Sequence, residues 1–347
     1  MFVVCVCCYA QISTITPVQK QAPVKVIPTS YPVSEANITE NVNLFKGQEL
    51  VVKPLRKDNG RYNDWDSGYE GFRTMKFNVK KHKKYQYIYG QPDKMTGHNT
   101  LASELENKVF IVEEVESVNG SYNVQGGRFS SGVLPDTCIL ILREKDNPKN
   151  KCKFVYSYGF GGFGDKGFPF VVMSHYNYLK EKCVGKQYKF DNQCLYDKDI
   201  NTGKRLYSTY LKTWTCIDVI MSPSGGNLTM LLEADSIHTY ILGGQTINPI
   251  IEDLVRIEES THRTKTFRIN AMSIEKWNRK VKQYGTEVMN AVLKHEIIEG
   301  MPYDALQMSW GYPDKINSSS YGKQLVYEIG RTRKYVYIEK GVVTSWN

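Results

Sequence analysis

The chain has 347 residues, 41% of them hydrophobic and 24 of them tyrosine, so it holds ample apolar matter for packed cores and is not a disordered chain. Its 45 basic and 36 acidic side chains leave a formal net charge of +9, a moderate excess spread along the sequence. The length suits two to four modest domains, the tyrosine-rich runs favour strands, and no stretch reaches the roughly 20 apolar residues of a membrane-spanning helix.

Residues 1–10 form a short apolar run that ends on a small residue, Ala10, with a polar stretch after it. Signal peptidase accepts a small residue there, so these residues read as a clipped signal peptide lacking its basic beginning. This implies a periplasmic or extracellular protein of the cell envelope. Cys5, Cys7 and Cys8 leave a lipid anchor open, although none follows the usual Leu-x-Gly/Ala pattern. Residues 11–40, with prolines at 17, 23, 28 and 32, read as an extended linker.

Short strands are expected next, at 49–52, 72–79, 85–89, 109–115, 137–143, 153–158, 186–190, 214–221, 228–233 and 237–242. Each is rich in Val, Ile, Tyr, Phe or Thr and is bounded by turn residues. Strands this short suggest small barrels or sandwiches, divided into β-rich units at 41–98, 99–175 and 176–258. The openings Leu44-Phe45-Lys46-Gly47, Leu105-Glu106-Asn107-Lys108 and Leu179-Lys180-Glu181-Lys182 are weakly alike, and each precedes further strands. In this the region resembles SH3-like β modules of exported bacterial proteins. The densest basic run, Lys80-Lys81-His82-Lys83-Lys84, suits either an anionic ligand or a charged hairpin tip that resists edge pairing.

Residues 259–347 read as a helical segment followed by an α+β domain. Ser273 is placed to cap a helix whose Trp277, Val281 and Tyr284 share one face. Gly285 interrupts it. A second helix then buries Val288, Met289, Val292 and Leu293. Pro302 suits the first turn of a third, short helix, which Gly311 and Pro313 end. Three strands follow, at 324–329, 334–339 and 342–345. Helix, short helix with Gly300-Met301 and Trp310-Gly311-Tyr312-Pro313, then a three-stranded meander with Ile316, Tyr327, Tyr335, Tyr337 and Gly341 resembles the SmpA/OmlA family of outer-membrane lipoproteins. That resemblance implies a fold like that of the β-lactamase inhibitor protein, and protein–protein contact outside the cytoplasm.

Several motifs fall short of catalysis. Gly159-Phe160-Gly161-Gly162-Phe163-Gly164 matches a dinucleotide fingerprint, but Asp165-Lys166-Gly167-Phe168-Pro169 follows where a helix is needed. His295-Glu296-Ile297-Ile298-Glu299 lacks a second histidine, and Ser320-Tyr321-Gly322-Lys323 lacks partner motifs. His175 and Cys183 are a conceivable base and nucleophile. Cys138, Cys152, Cys183, Cys194 and Cys216 contain no Cys-x-x-Cys pair, which disfavours a zinc ribbon; Cys183 and Cys194 pair or stay free thiols. The expectation is an α+β multidomain, non-enzymatic binding or structural protein with no cofactor, metal or catalytic residues. Its partner is a protein or an envelope polymer and not nucleic acid, with peripheral membrane association open. Tyr327, Tyr335, Tyr337, Phe160 and Phe163 are the expected contact residues. The alternative is an exported hydrolase of wall or glycan polymer acting through the β-rich region.

Overall fold

A computed structural model describes residue 33 and residues 42–347 apart from 56, 59–60, 63–67, 79–80, 82–86, 95–96, 98, 119–121, 124–132, 135–136, 158–167, 192–193, 223–227, 243–255, 260–264, 269–270 and 330–331. The chain divides into two units, residues 1–178 with 223–228 and residues 179–222 with 229–347. The fold is mixed α+β with strands dominating.

In the first unit six strands form one antiparallel sheet: β1 (Glu49–Val52), β2 (Phe72–Thr74), β3 (Val109–Val118), β4 (Thr137–Glu144), β5 (Lys151–Ser157) and β6 (Phe170–Val172), in the order β6-β1-β3-β4-β5-β2. Strands from the spans 41–98 and 99–175 therefore lie in a single sheet. Alternation sets the faces. Cys138, Leu140 and Leu142 of β4 and Cys152 and Phe154 of β5 enter the core, while Arg143, Lys151 and Lys153 point away from it. Phe72 sits among Phe110, Phe154 and Phe170, at ring centroid distances of 6.2, 5.2 and 5.5 Å. The distal residue Val33 is buried in the same core.

The expected small barrel is an open sheet instead. Phe72 of β2 and Phe170 of β6 touch although their strands lie at opposite ends of the order. The free edge of β2 is already occupied: Thr74 N–H donates to Tyr87 O, Tyr89 N–H donates to Phe72 O, and Arg73 bridges Ile88. With those groups spent, β2 has nothing left to bond to β6. No sheet among the described residues closes into a barrel.

A β-bulge in β3 changes which residues face inward. Phe110 and Val112 pack inward, then Val115, so the alternation slips by one where the register between β4 and β3 shifts. Glu113 is the extra residue. Its carboxylate accepts from Arg143 Nε at 2.8 Å and from Lys151 Nζ at 2.6 Å.

In the second unit, β7 (Gln187–Phe190), β8 (Trp214–Met221), β9 (Leu228–Ala234), β10 (Ile237–Tyr240) and β11 (Ala271–Ser273) form a sheet in the order β10-β9-β8-β7-β11. The helical span from residue 259 thus contributes a strand to the preceding β region. Helix α2 (Met173–Cys183), preceded by the single-turn α1 (Ala102–Leu105), runs across a stretch read from sequence as β-rich. Then come α3 (Ile274–Tyr284), α4 (Thr286–Lys294) and α5 (Tyr303–Trp310). Ser273 caps α3 by accepting from Lys276 N–H, and Gly285 at φ 87° ends it. Ile274, Trp277, Val281 and Tyr284 pack into the core of this unit. Lys276, Arg279, Lys280 and Lys282 fall on the other side. Residues three and four apart on a helix are neighbours, so three like-charge pairs result, each costing roughly 0.2–0.5 kcal/mol.

The chain ends in a meander of four strands rather than three: β12 (Lys315–Ser319), β13 (Gly322–Ile329), β14 (Thr332–Glu339) and β15 (Val342–Trp346). Every residue of β12 is exposed, so it carries no apolar alternation to read, and pairing with β13 alone makes it a strand. Gly322, at φ 154°, fixes the turn between them, because a Cβ there would run into the Ile338 carbonyl oxygen.

Two outcomes follow from this architecture. Phe72→Ala removes the ring at the centre of the aromatic cluster and should cost about 3–5 kcal/mol in urea unfolding. Glu113→Gln should cost under about 1 kcal/mol at neutral pH, because solvent screens the clamp. The hydrogen bond from Lys151 holds the Glu113 carboxyl below its ordinary value of 4.5. Its stabilisation is therefore present above that value and lost as pH falls through the lowered one. The wild-type and Glu113→Gln curves of stability against pH should converge in acid, and a difference that persists there would contradict the clamp.

Candidate functional site

The meander has two unlike faces, and register decides which residue is on which. Leu325 lies opposite Val336, and both are fully buried. Gln324 and Val326 therefore share the other face with Tyr337 and Tyr335, their cross-strand partners. Asn317 lies opposite Gln324 and Ser345 opposite Tyr337, so Asn317, Gln324, Tyr337 and Ser345 form one row across all four strands. The first three are joined. Asn317 Nδ2 donates to Gln324 Oε1 at 2.9 Å, and Gln324 Nε2 donates to the Tyr337 hydroxyl oxygen at 3.0 Å. This fixes the amides and leaves the Tyr337 O–H free to donate outward. Beside the row, Val326 is nearly covered, between Tyr335 and Lys315. At the sheet end Arg333 pairs with Glu328 at 3.0 Å. The result is an open face with two tyrosines and an ordered, uncharged hydrogen-bonding row, with Lys315, Glu328, Arg333 and Glu339 on the same face around it.

Of the expected contact residues, Tyr335 and Tyr337 lie on this face, Tyr337 at 37% exposure. Tyr327 lies on the opposite one. Its ring meets Trp310 edge-on at 5.4 Å, its hydroxyl donates to Gly311 O, and burial pushes its pKa well above the usual range. Phe160 and Phe163 fall outside the described residues, as does the glycine run around them. Asn317 and Gln324 carry no signal in the sequence, because an amide pair across two strands is visible only once the register is known.

Beneath the meander lies the constellation that most resembles a catalytic one. His295 ends α4 in a left-handed turn at φ 57°. Its Nδ1 lies 2.9 Å from Ser309 O and its Nε2 lies 3.0 Å from Asp191 Oδ2. A carbonyl and a carboxylate only accept, so both hydrogen bonds are made when each ring nitrogen carries a proton. Asp191 Oδ1 accepts in turn from Cys194 N–H at 2.7 Å. Both ring nitrogens are thus engaged within the protein, by Ser309 O and by Asp191 Oδ2. Trp310 Nε1 donates to His295 O at 2.8 Å, and Ser309 Oγ donates to Glu296 O at 3.0 Å. The group is a brace that ties β7 to the ends of α4 and α5.

His175 and Cys183 lie eight residues apart on α2, about 12 Å along its axis, beyond hydrogen-bond reach. Burial pushes the Cys183 thiol up to about 11 and lowers the His175 pKa. The thiols of Cys138, Cys152, Cys183, Cys194 and Cys216 are all free and buried, so Cys183 and Cys194 are not bonded. Lys189 is buried beneath α3, donates to Leu211 O at 2.8 Å and lies over the Trp277 ring at 5.3 Å. Ser320 and Lys323 flank an exposed turn, and the Lys323 ammonium lies over the Tyr303 ring at 5.9 Å. Among the described residues no group of three or more His, Cys, Asp or Glu is placed to hold a metal ion, and no helix is long and apolar enough to cross a membrane.

The brace makes a sharp prediction. Removing one partner leaves the other buried polar group without its hydrogen bond, so Asp191→Asn should cost about 1–3 kcal/mol in unfolding free energy. The double variant Asp191→Asn/His295→Gln should cost less than the two single losses added. Strict additivity in that cycle would show that the pair is not coupled.

Comparison with family models, with curated proteins and with solved structures finds no match to this chain, so its function rests on the residues themselves.

Proposed function

We propose that this chain is an exported, non-enzymatic binding protein of the bacterial envelope whose open meander face holds a partner protein. The observation that carries the reading is the ordered row Asn317, Gln324 and Tyr337 beside Tyr335. Interfaces favour tyrosine because it offers a rigid apolar ring with a polar tip, and groups already held in place lose little freedom on binding. The row itself is uncharged, as a contact core is, and Lys315, Glu328, Arg333 and Glu339 stand around it, as charges do at a polar rim. The layout of α4, α5 and the meander, with the turn at Trp310, Gly311 and Pro313, supports the resemblance to the SmpA/OmlA family and its protein contacts. The apolar run at residues 1–10 supports placement in the periplasm or outside the cell.

A photo-crosslinking aromatic placed at position 337 or 324 in intact cells should give a discrete adduct. The same probe at the exposed Lys204 should not. Adducts of equal yield at all three positions, or none at 337, would remove the assignment. Once the partner is isolated, Tyr337→Ala should weaken it by about 1–2 kcal/mol, read as a change in Kd of about 5- to 30-fold.

A further inference from the structure

Helix α3 carries a charge arrangement that its own stability does not call for. Its apolar side is spent on the core, and its exposed side gathers Lys276, Arg279, Lys280 and Lys282 against one acid, Glu275. Glu275 stands four residues before Arg279, a spacing at which the two can pair, yet no bond joins them. Arg279 and Lys282 form no ion pair with any described residue. Elsewhere cations are spent on nearby acids: Lys108 on Glu144, Arg143 and Lys151 on Glu113, Lys145 on Glu49, Lys180 on Asp218 and Lys212 on Asp235. On α3 cation stands next to cation, and the helix dipole accounts for Glu275 in the first turn and Lys282 in the last but not for Lys276, Arg279 and Lys280.

We propose that this face of α3 binds a linear, phosphate-bearing polyanion. Charge complementarity is the argument, and the rest of the face narrows the occupant. Trp277, the one tryptophan of the helix, is buried, with the Lys189 ammonium over its ring. Ile274, Val281 and Tyr284 pack against the core. The Tyr284 ring is partly buried and already carries the Lys280 ammonium at 5.1 Å, so the outward side offers no free ring face on which a base could stack and no apolar group to enter a bilayer or to centre a protein interface. What it offers is a row of cations about 5–6 Å apart at Cβ. A flexible phosphate chain meets several of these at once and releases its counterions as it does so. This site is separate from the meander face and does not depend on that reading.

The test uses the full chain and fluorescently labelled inorganic polyphosphate, with affinity followed by anisotropy from low to high salt. Binding should weaken steeply with salt. The variant Arg279→Gln/Lys280→Gln/Lys282→Gln should bind at least tenfold more weakly. Its slope of log affinity against log salt should fall by about 0.7–0.9 for each cation removed. Its Tm should be unchanged or slightly raised, because like-charge neighbours have gone, and this shows that the variant is folded. Tyr337→Ala should bind polyphosphate as the wild type does. The proposal is overturned by no binding at low salt or by a triple variant that binds normally. Loss of polyphosphate binding in Tyr337→Ala would overturn it too. So would tighter binding of polyglutamate, which would indicate an acidic protein segment, or preferential retention on anionic phospholipid vesicles.

Discussion

The second unit depends on one buried couple, the imidazole of His295 against the carboxylate of Asp191. Asp191 follows directly on β7, and His295 closes α4, so a contact between residues 104 apart in sequence joins sheet to helix. The couple is worth its desolvation because the remaining lone pairs and protons are also used. Asp191 accepts a backbone N–H, and the second ring nitrogen reaches a carbonyl. From there the brace extends outward. Trp310 bonds the His295 carbonyl, its ring meets Tyr327, and the Tyr327 hydroxyl holds Gly311 where α5 gives way to the meander. The open face is thus held from behind by a chain of polar contacts, each member of which has a partner.

Much of the local structure was legible because local chemistry decides it. The strands Glu49–Val52 and Trp214–Met221 have the bounds their apolar density suggests, and Ser273 and Gly285 start and stop α3 as their capping chemistry requires. Helix α2 was missed, although Met173, Tyr176, Leu179 and Cys183 recur at spacings of three and four and are all buried. Tyrosine, valine and cysteine around them weigh equally toward strand, and periodicity alone decides between the two. The joining of strands from 41–98 and 99–175 was out of reach for another reason. Sheet order is a non-local choice, and no spacing within either span encodes it.

The tyrosines show how much of the site a sequence can place. Alternation puts Tyr335 and Tyr337 on one face without any coordinates, since they are two residues apart on one strand. Which face Tyr327 takes depends on the register between β13 and β14. Val326, not Tyr327, stands opposite Tyr335, so Tyr327 turns into the core. A slip of one residue would exchange the two faces, and the core would then receive Gln324 in place of Leu325. The buried Leu325, Val336 and Ile338 fix the register, and through it the composition of the open face.

The two surfaces use opposite physics. In the row on the meander the donors and acceptors are neutral and already ordered, so a contact there depends on fit and hydrogen bonding, which salt screens little. On α3 the groups are charged and crowd one another, so a contact there depends on ion release and falls steeply with salt. The net charge of +9 amplifies this difference, because the long-range field attracts any anion at low ionic strength and fades over a Debye length of about 8 Å at physiological salt. Contacts measured only at low salt would therefore favour α3 whatever the partner, and would obscure the meander. The same contacts measured across a range of salt separate by slope, near zero for the meander face and steep for the helix.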